Sequence, residues 1–486
     1  MVILKELTAG VKVITFRGDH EKLISSITFD SREVSSGSLF VAVRGSRNDG
    51  HKYIDAAIRS GASAIVCEVL PDRPDPDVSW IVTDDSAKAL GIFSSNFYKN
   101  PSSSLKLVGV TGTNGKTTIV TLLYETFTGL GYKCGLFSTI CNYVADKELP
   151  ATHTTPDPVQ LNSIMAEMVN AGCEYAFMEV SSHAVDQQRI SGLKFAGAVF
   201  TNLTHDHLDY HKTFDCYLAA KKKFFDHLPE NSFALVNADD RNGKVMLQNC
   251  MAKQFTYSVR SVADFRCRII EQSFNGMGLK IMGEEVWTRF IGDYNASNLL
   301  AVAAVSELLG AKRKELLTVM SDLHPVAGRL EVIRSSGITG IVDYAHTPDA
   351  LVNVLDILNK IREGNIQLIT VVGAGGDRDK TKRPKMAAIS AERSTKLILT
   401  SDNPRTEDPE KILDDMEAGI SAELKSRTLR ICDRREAIRT AVMLAAKGDV
   451  ILVAGKGHEP YQEVMGVRHH FDDREELKKA LAEKRI

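Results

Sequence analysis

An apolar run, Leu105-Lys106-Leu107-Val108-Gly109-Val110, enters Thr111-Gly112-Thr113-Asn114-Gly115-Lys116-Thr117-Thr118, and a helical pattern follows. Strand, glycine loop and helix in that order are what a phosphate cradle requires. Glycines bring backbone N–H groups close, the helix N-terminus adds the positive end of its dipole, and Lys116 supplies a point charge. Thr117 stands where its hydroxyl can hold a magnesium ion. The general spelling has a glycine five residues before Gly115, but that position is Val110 and the extra glycine is Gly112. The loop is therefore a variant of the general one.

Four further stretches end strands in the same way. Glu179 follows Tyr175-Ala176-Phe177-Met178, and His205-Asp206-His207-Leu208-Asp209-Tyr210-His211 follows the apolar run Ala198–Leu203. Later, Asp402-Asn403-Pro404-Arg405 follows Leu397–Thr400, and Gly455-Lys456-Gly457-His458-Glu459 follows Asp449–Ala454. In open α/β sheets ligands sit beyond the carboxyl ends of strands, so all four are candidate binding lips. Magnesium prefers oxygen and tolerates imidazole, which suits Glu179 and His207. Zinc is the lesser alternative, because the histidine spacing matches none of its common patterns. Lys221-Lys222-Lys223 taken alone is a solvated helix face.

The elements that must carry these residues fall into three segments. The first hundred residues mix short strands (38–43, 64–67, 80–82) with a helix near 53–60, and end in the Pro/Ser cluster Pro101-Ser102-Ser103-Ser104. From Leu105, strands (105–110, 175–180, 198–203, 233–237) alternate with helices (117–130, 159–170, 217–227), which predicts a doubly wound, mostly parallel sheet. A hairpin over 265–282 and a helix over 294–309 complete this unit. After Pro325 the alternation restarts, with Thr347-Pro348 and Asp408-Pro409 as helix starts, and predicts a Rossmann-like domain. The expected fold class is α/β in three domains: 1–103, 104–326 and 327–486.

The 486 residues carry a formal charge of −2 with both signs mixed, so no basic excess points to nucleic acid. Eight scattered cysteines without a Cys-x-x-Cys pair fit a reducing cytosol. Charges at Lys5, Glu6 and Lys12 break any signal-like segment, and no run of eighteen apolar residues occurs. A cytoplasmic protein without membrane insertion is expected.

The spelling Gly112-Thr113-Asn114-Gly115-Lys116-Thr117-Thr118 resembles the Mur ligase family, ATP-dependent amide-forming enzymes of peptidoglycan precursor synthesis, and also the folylpolyglutamate synthetases, which share the loop. Asp30-Ser31-Arg32 with Gly37–Gly45 resembles the N-terminal domain of ligases that carry a UDP-linked sugar, a domain the folylpolyglutamate synthetases lack. The resemblance implies ATP as substrate, held by Gly112 to Thr118, by Asn295 and Asn298 at the adenine, by Asp343 at the ribose, and by Arg329 at the γ-phosphate. It implies a carbamylated lysine at Lys221, which turns an ammonium into an anion able to bind magnesium beside Thr117, Glu179 and His207. Phe29, Ser31, Ser46, Arg47 and Asn48 are implied at the uridine end, and His153, Thr154, Thr155, Ser181, Gln187 and Arg189 at the sugar-peptide. His153 departs from the asparagine frequent in the family.

Asp-Asn-Pro-Arg marks the members that add meso-diaminopimelate, an amino acid with two carboxylates and two ammonium groups. A guanidinium grips a carboxylate through two parallel hydrogen bonds, which a lysine cannot reproduce. Arg378 and Arg405 supply that grip, Asp402 and Glu459 suit an ammonium group, and Asn403, Pro404 and Gly455 complete the pocket. The implied reaction passes through an acyl phosphate on the D-glutamate of UDP-N-acetylmuramoyl-L-alanyl-D-glutamate. Lys116, Arg329 and magnesium spread the phosphoryl charge, and the protein works as a monomer on small molecules. A phosphate-loop kinase and a nucleotide-gated binding protein are the competing readings. The first predicts a stable phosphorylated product, the second hydrolysis indifferent to amino acid.

Overall fold

The structure, a computed structural model, describes residues 1–45, 48–204 and 208–484. Ser46, Arg47 and His207 lie outside the described residues.

Three main sheets follow one another along the chain. The first is ordered Val13–Arg17, Ser79–Thr83, Ala62–Cys67, Ser38–Val41, Ser26–Thr28, antiparallel only at the first pair. Leu39 and Val41 face a core with Phe93 of the helix Ser86–Phe97, while Phe40 faces the opposite core with Ile54 and Trp80. Burial on both faces explains why its parallel strands read as unbroken apolar runs.

In the second sheet the strand Lys106–Thr111 lies between Tyr175–Glu179 and Gly197–Phe200, all parallel. From it the chain steps to one side, for Cys134–Phe137 and Tyr175–Glu179, and then crosses to the other, for Gly197–Phe200 and Phe233–Asn237. Such a switch point opens a crevice at the carboxyl ends of the strands. The helices Lys116–Gly129 and Asp293–Leu308 cover one face, and Pro158–Asn170 and Phe214–Asp226 the other. The expected hairpin is present as Phe265–Ser273 and Gly276–Ile281, extended by Glu284–Thr288.

The third sheet is ordered Glu331–Ser335, Ile338–Asp343, Val450–Ala454, Leu368–Val372, Lys396–Leu399, Thr428–Arg430, parallel after the first pair. Thr347 and Asp408 cap their helices through Ala350 N and Glu410 N, with Pro348 and Pro409 at the first helical positions. A separate hairpin, Tyr461–Val464 with Val467–His470, stands beside this sheet.

One buried ion pair ties the loops of this sheet together. Arg434, 2% exposed, donates Nε and NH2 to the two oxygens of Asp473 at 2.7 Å each, and NH2 also reaches the carbonyl of Ala454 at 3.0 Å. Removing one partner strands a buried charge. Asp473→Ala is expected to cost about 3–5 kcal/mol, measured as a lowered urea midpoint with an unchanged slope.

Candidate active site

The phosphate loop forms where the sequence predicts it, between the strand Lys106–Thr111 and the helix Lys116–Gly129. Gly112 has φ +152°, and a Cβ there would lie 1.8 Å from Thr201 Oγ1; Gly115 has φ +88° with Asn298 Oδ1 2.8 Å from its absent Cβ. Both glycines are therefore required by close approach as well as conformation. Thr201 Oγ1 donates to the carbonyl of Asn114 at 2.6 Å, and Asn202 Oδ1 accepts the N–H of Asn114 at 3.0 Å. The strand Gly197–Phe200 thus delivers the residues that shape the loop. Gly112→Ala is expected to lower ATP affinity at least about tenfold, read by nucleotide titration, because the loop cannot close over phosphate with Thr201 displaced.

Lys116 Nζ donates to the carbonyls of Gly112 and Thr113, both at 2.8 Å. Lys221, on the helix Phe214–Asp226, is 1% exposed and donates to the same Gly112 carbonyl at 2.9 Å. This is not the solvated face that three adjacent lysines suggest. Lys222 is drawn to Asp226, and Lys223 stands 4.0 Å from Asp186. Glu179, 1% exposed at the end of the neighbouring strand, accepts the N–H of Thr139 at 2.7 Å. Thr117 and Thr118 are buried at the helix start.

Glu179 and Thr117 offer hard oxygen donors beside a phosphate cradle, the kind magnesium takes. Among the described residues no three His, Cys, Asp or Glu side chains gather into a metal cage. An ion that keeps several waters and shares ligands with phosphate does not need one.

Asn298 Nδ2 donates to Asn295 Oδ1 at 3.2 Å, and Asn295 Nδ2 to the carbonyl of Ile291 at 2.9 Å, so the asparagine pair is braced beside Gly115. Arg329 stacks on Tyr344, its guanidinium 4.5 Å from the ring centre, with Nε buried and, among the described residues, without a hydrogen-bond partner. Asp343 accepts the N–H groups of Leu330 and Ala345 at 2.7 and 2.8 Å, anchoring the residue after Arg329 to the first parallel strand of the third sheet. Burial pushes the Asp343 carboxyl up, while Arg329 opposes the shift. His458 packs 5.0 Å from Tyr344, and burial, aided by Arg329, lowers its imidazole to about 3. It stays neutral beside the arginine.

On the opposite side a cleft of about 570 Å³ runs between the first sheet and the helix Pro158–Asn170. Phe29, 41% exposed, lines it with Thr152 and Asp157. Thr154 accepts from Thr139, and Arg189 donates to the carbonyl of Thr155 at 2.8 Å and to Gln187 Oε1. Thr155 and Ser181 hydroxyls lie 3.4 Å apart, so these expected residues form one group. Ser31 is half-buried, and Asn48 and His153 are exposed.

At the third sheet, Asp402, Asn403 and Glu459 converge. Asn403 Nδ2 donates to Glu459 Oε2 at 2.7 Å. Burial raises Glu459, and the neighbouring Asp402 raises it further. Arg405 adopts φ +53°, unusual for a residue with a Cβ. Its N–H donates to the carbonyl of Glu463 at 3.0 Å, its carbonyl accepts Met465 N at 2.6 Å, and NH1 donates to the carbonyl of Gly376 at 2.7 Å. A Cβ on Gly376 would lie 1.9 Å from the carbonyl of Pro404. The loop 375–380, beyond the strand Leu368–Val372, and the Asp402–Arg405 corner are thus in direct contact, with Arg378 of that loop exposed.

Two positioning side chains escape sequence reasoning. Arg383, fully buried, binds Glu407 through NH1 and NH2 at 3.0 and 2.8 Å and Asp415 at 2.8 Å, and Glu407 in turn accepts the N–H of Asp377 at 2.6 Å. An arginine spaced three and four residues from Met386 and Ala387 on one helix face is the signal that would have found it. Lys456, within a motif already singled out, is fully buried against Asn403.

The fold and site together define the class: a phosphate-loop α/β protein followed by a second α/β sheet whose strand ends gather buried charged side chains. The chain matches the Mur ligase middle domain over residues 110–306, the Mur ligase glutamate ligase domain over 328–457, and the Mur ligase family catalytic domain over 23–98. It is 57% identical over 478 residues to the UDP-N-acetylmuramoyl-L-alanyl-D-glutamate--2,6-diaminopimelate ligase of Bacteroides thetaiotaomicron, covering 98% of this chain and 99% of that one. The enzyme of the same name from Chlorobaculum tepidum is 42% identical over 497 residues, covering 99% and 97%. A solved structure under that name superposes with a TM-score of 0.73 at 34% identity, covering 99% of each chain. The chain belongs to the Mur ligase family.

Proposed function

We infer that this chain is the ATP-dependent ligase that adds meso-2,6-diaminopimelate to UDP-N-acetylmuramoyl-L-alanyl-D-glutamate, releasing ADP and phosphate in peptidoglycan synthesis. The observation that carries the amino-acid assignment is the Arg405 corner. The Arg405 guanidinium, held in a left-handed backbone turn, reaches the Gly376 carbonyl, and Asp402 and Glu459 lie on loops at the carboxyl ends of the same parallel sheet, which supports a site with both cation and anions. Residues 1–103 take the UDP-sugar, 104–326 the nucleotide, and 327–486 the amino acid.

The γ-carboxylate of the D-glutamate attacks the γ-phosphorus of ATP, ADP leaves, and an acyl phosphate forms. Lys116 and Arg329 stabilise the transferring phosphoryl group. Thr117, Glu179, His207 and carbamylated Lys221 would hold magnesium, which would supply positive charge against the phosphates. Arg405 and Arg378 hold the distal carboxylate, and Asp402 and Glu459 the distal ammonium. The free amine then attacks the carbonyl, loses a proton, and phosphate departs with the carboxylate's oxygen. Closure of the third domain about the segment 324–328 excludes water from the acyl phosphate. The enzyme works in the cytoplasm as a monomer; among the described residues no helix is long and apolar enough to cross a membrane.

The test is isotopic: 18O placed in the γ-carboxylate must appear in the released phosphate. Its absence there excludes the acyl phosphate.

A further inference from the structure

We propose that Lys456 is a positioning residue of the amino-acid pocket: its buried ammonium holds the Asn403 amide in one orientation and keeps Glu459 an anion for the substrate's distal ammonium group. The proposal rests on the diaminopimelate reading above.

Lys456 is fully buried on the loop after the strand Val450–Ala454. Its Nζ donates to Asn403 Oδ1 at 3.1 Å, stands 3.5 Å from Glu459 Oε2, and donates to the carbonyl of Tyr461. An ammonium has three donors, and these are three acceptors. Asn403 Oδ1 also accepts the N–H of Glu463 at 2.9 Å, while Nδ2 donates to Glu459. A flipped amide would set its NH2 against both an ammonium and a backbone N–H, so the lysine, with the Glu463 N–H, fixes which end of Asn403 meets Glu459. The loop is pressed onto its neighbour as well: a Cβ on Gly455, φ +119°, would lie 2.6 Å from Asp402 Oδ2.

The charge argument is separate. Glu459 faces Asp402 and Asn403 from the loop after Lys396–Leu399, Tyr344 from the loop after Ile338–Asp343, and Tyr461 from the hairpin. The Arg434 guanidinium acts from beneath, and Lys456 from its own loop. Two neighbouring buried carboxylates resist double ionisation. Lys456, fully buried, supplies the opposing charge that is in direct reach of Glu459.

The sign follows. With Lys456 present, Glu459 stays deprotonated to lower pH; without it, the carboxyl takes up a proton at higher pH and the ammonium meets a neutral acid. In full-length Lys456→Met, the acidic limb of kcat/KM for meso-diaminopimelate is expected to move up by about one pH unit or more, with about tenfold loss at pH 7 and recovery toward alkaline pH. KM for ATP and for the UDP-sugar dipeptide stays within about twofold. Lys456→Gln keeps polar contacts without the charge and gives the same shift where the methionine variant does not fold. Wild-type enzyme inactive with meso-diaminopimelate sinks the reading beneath the proposal. An active wild type whose acidic limb is unmoved in both variants overturns the role of Lys456 alone.

Discussion

Arg405→Lys is expected to lower kcat/KM for meso-diaminopimelate by about 10- to 150-fold, the roughly 1.5–3 kcal/mol carried by a hydrogen bond to a charged group, and to leave ATP affinity unchanged. The substitution keeps the charge and the strained backbone. Only the planar fork is lost, and with it the parallel grip on a carboxylate. The native side chain is already positioned, because two backbone hydrogen bonds hold the corner to the hairpin Tyr461–His470 and NH1 is held by Gly376. Arg405→Lys should also narrow discrimination against L-lysine, which has no distal carboxylate to lose. Steady-state kinetics with each amino acid, beside nucleotide titration, separate this from general damage. An unchanged KM for meso-diaminopimelate would remove Arg405 from the carboxylate site.

The larger loss is expected at Lys221. If carbamylation makes it a magnesium ligand, Lys221→Arg and Lys221→Ala should fail alike, by about 10³-fold in kcat, since neither side chain can become an anion. A plain ammonium would behave otherwise. Lys221 reaches the Gly112 carbonyl at 2.9 Å in the phosphate loop, and an arginine could take over that contact. Retention of more than about a tenth of the activity in Lys221→Arg would therefore return Lys221 to a loop-bracing role. ADP release at saturating substrates, with and without added bicarbonate, distinguishes the two.

How much of this was legible beforehand differs by region. The phosphate loop and its strand were, because Gly-Lys-Thr-Thr after an apolar run combines local conformation and chemistry in eight residues. The caps at Thr347 and Asp408 were legible for the same local reason. The helix Ser86–Phe97 was not read, since its buried face includes Ser86, Ser94 and Ser95 beside Leu90 and Phe93, which blurs the apolar period. The strand Thr428–Arg430 has three residues, none of them buried, too short to alternate visibly. The hairpin Tyr461–His470 holds the backbone of Arg405, yet its second strand Val467–His470 is fully exposed and carries no hydrophobic signal.

For the candidate site, the order of motifs along the chain singles out residues, but their burial is invisible in the sequence. Lys221, taken alone, reads as part of a solvated helix face, and Lys456 carries no role of its own within its motif; both are interior. Arg383 and Arg434 support the strand-end loops of the third sheet from positions where composition predicts surface. Each becomes intelligible only once its partner is known: Glu407 for one, Asp473 for the other.

ADP release from ATP in the presence of UDP-N-acetylmuramoyl-L-alanyl-D-glutamate, offering meso-diaminopimelate or L-lysine, decides which amino acid this ligase adds. The geometry predicts release that depends on the added amino acid, matches amide formed one for one, and runs at least about tenfold faster in kcat/KM with meso-diaminopimelate. Equal rates with the two amino acids, or release indifferent to both, would contradict it.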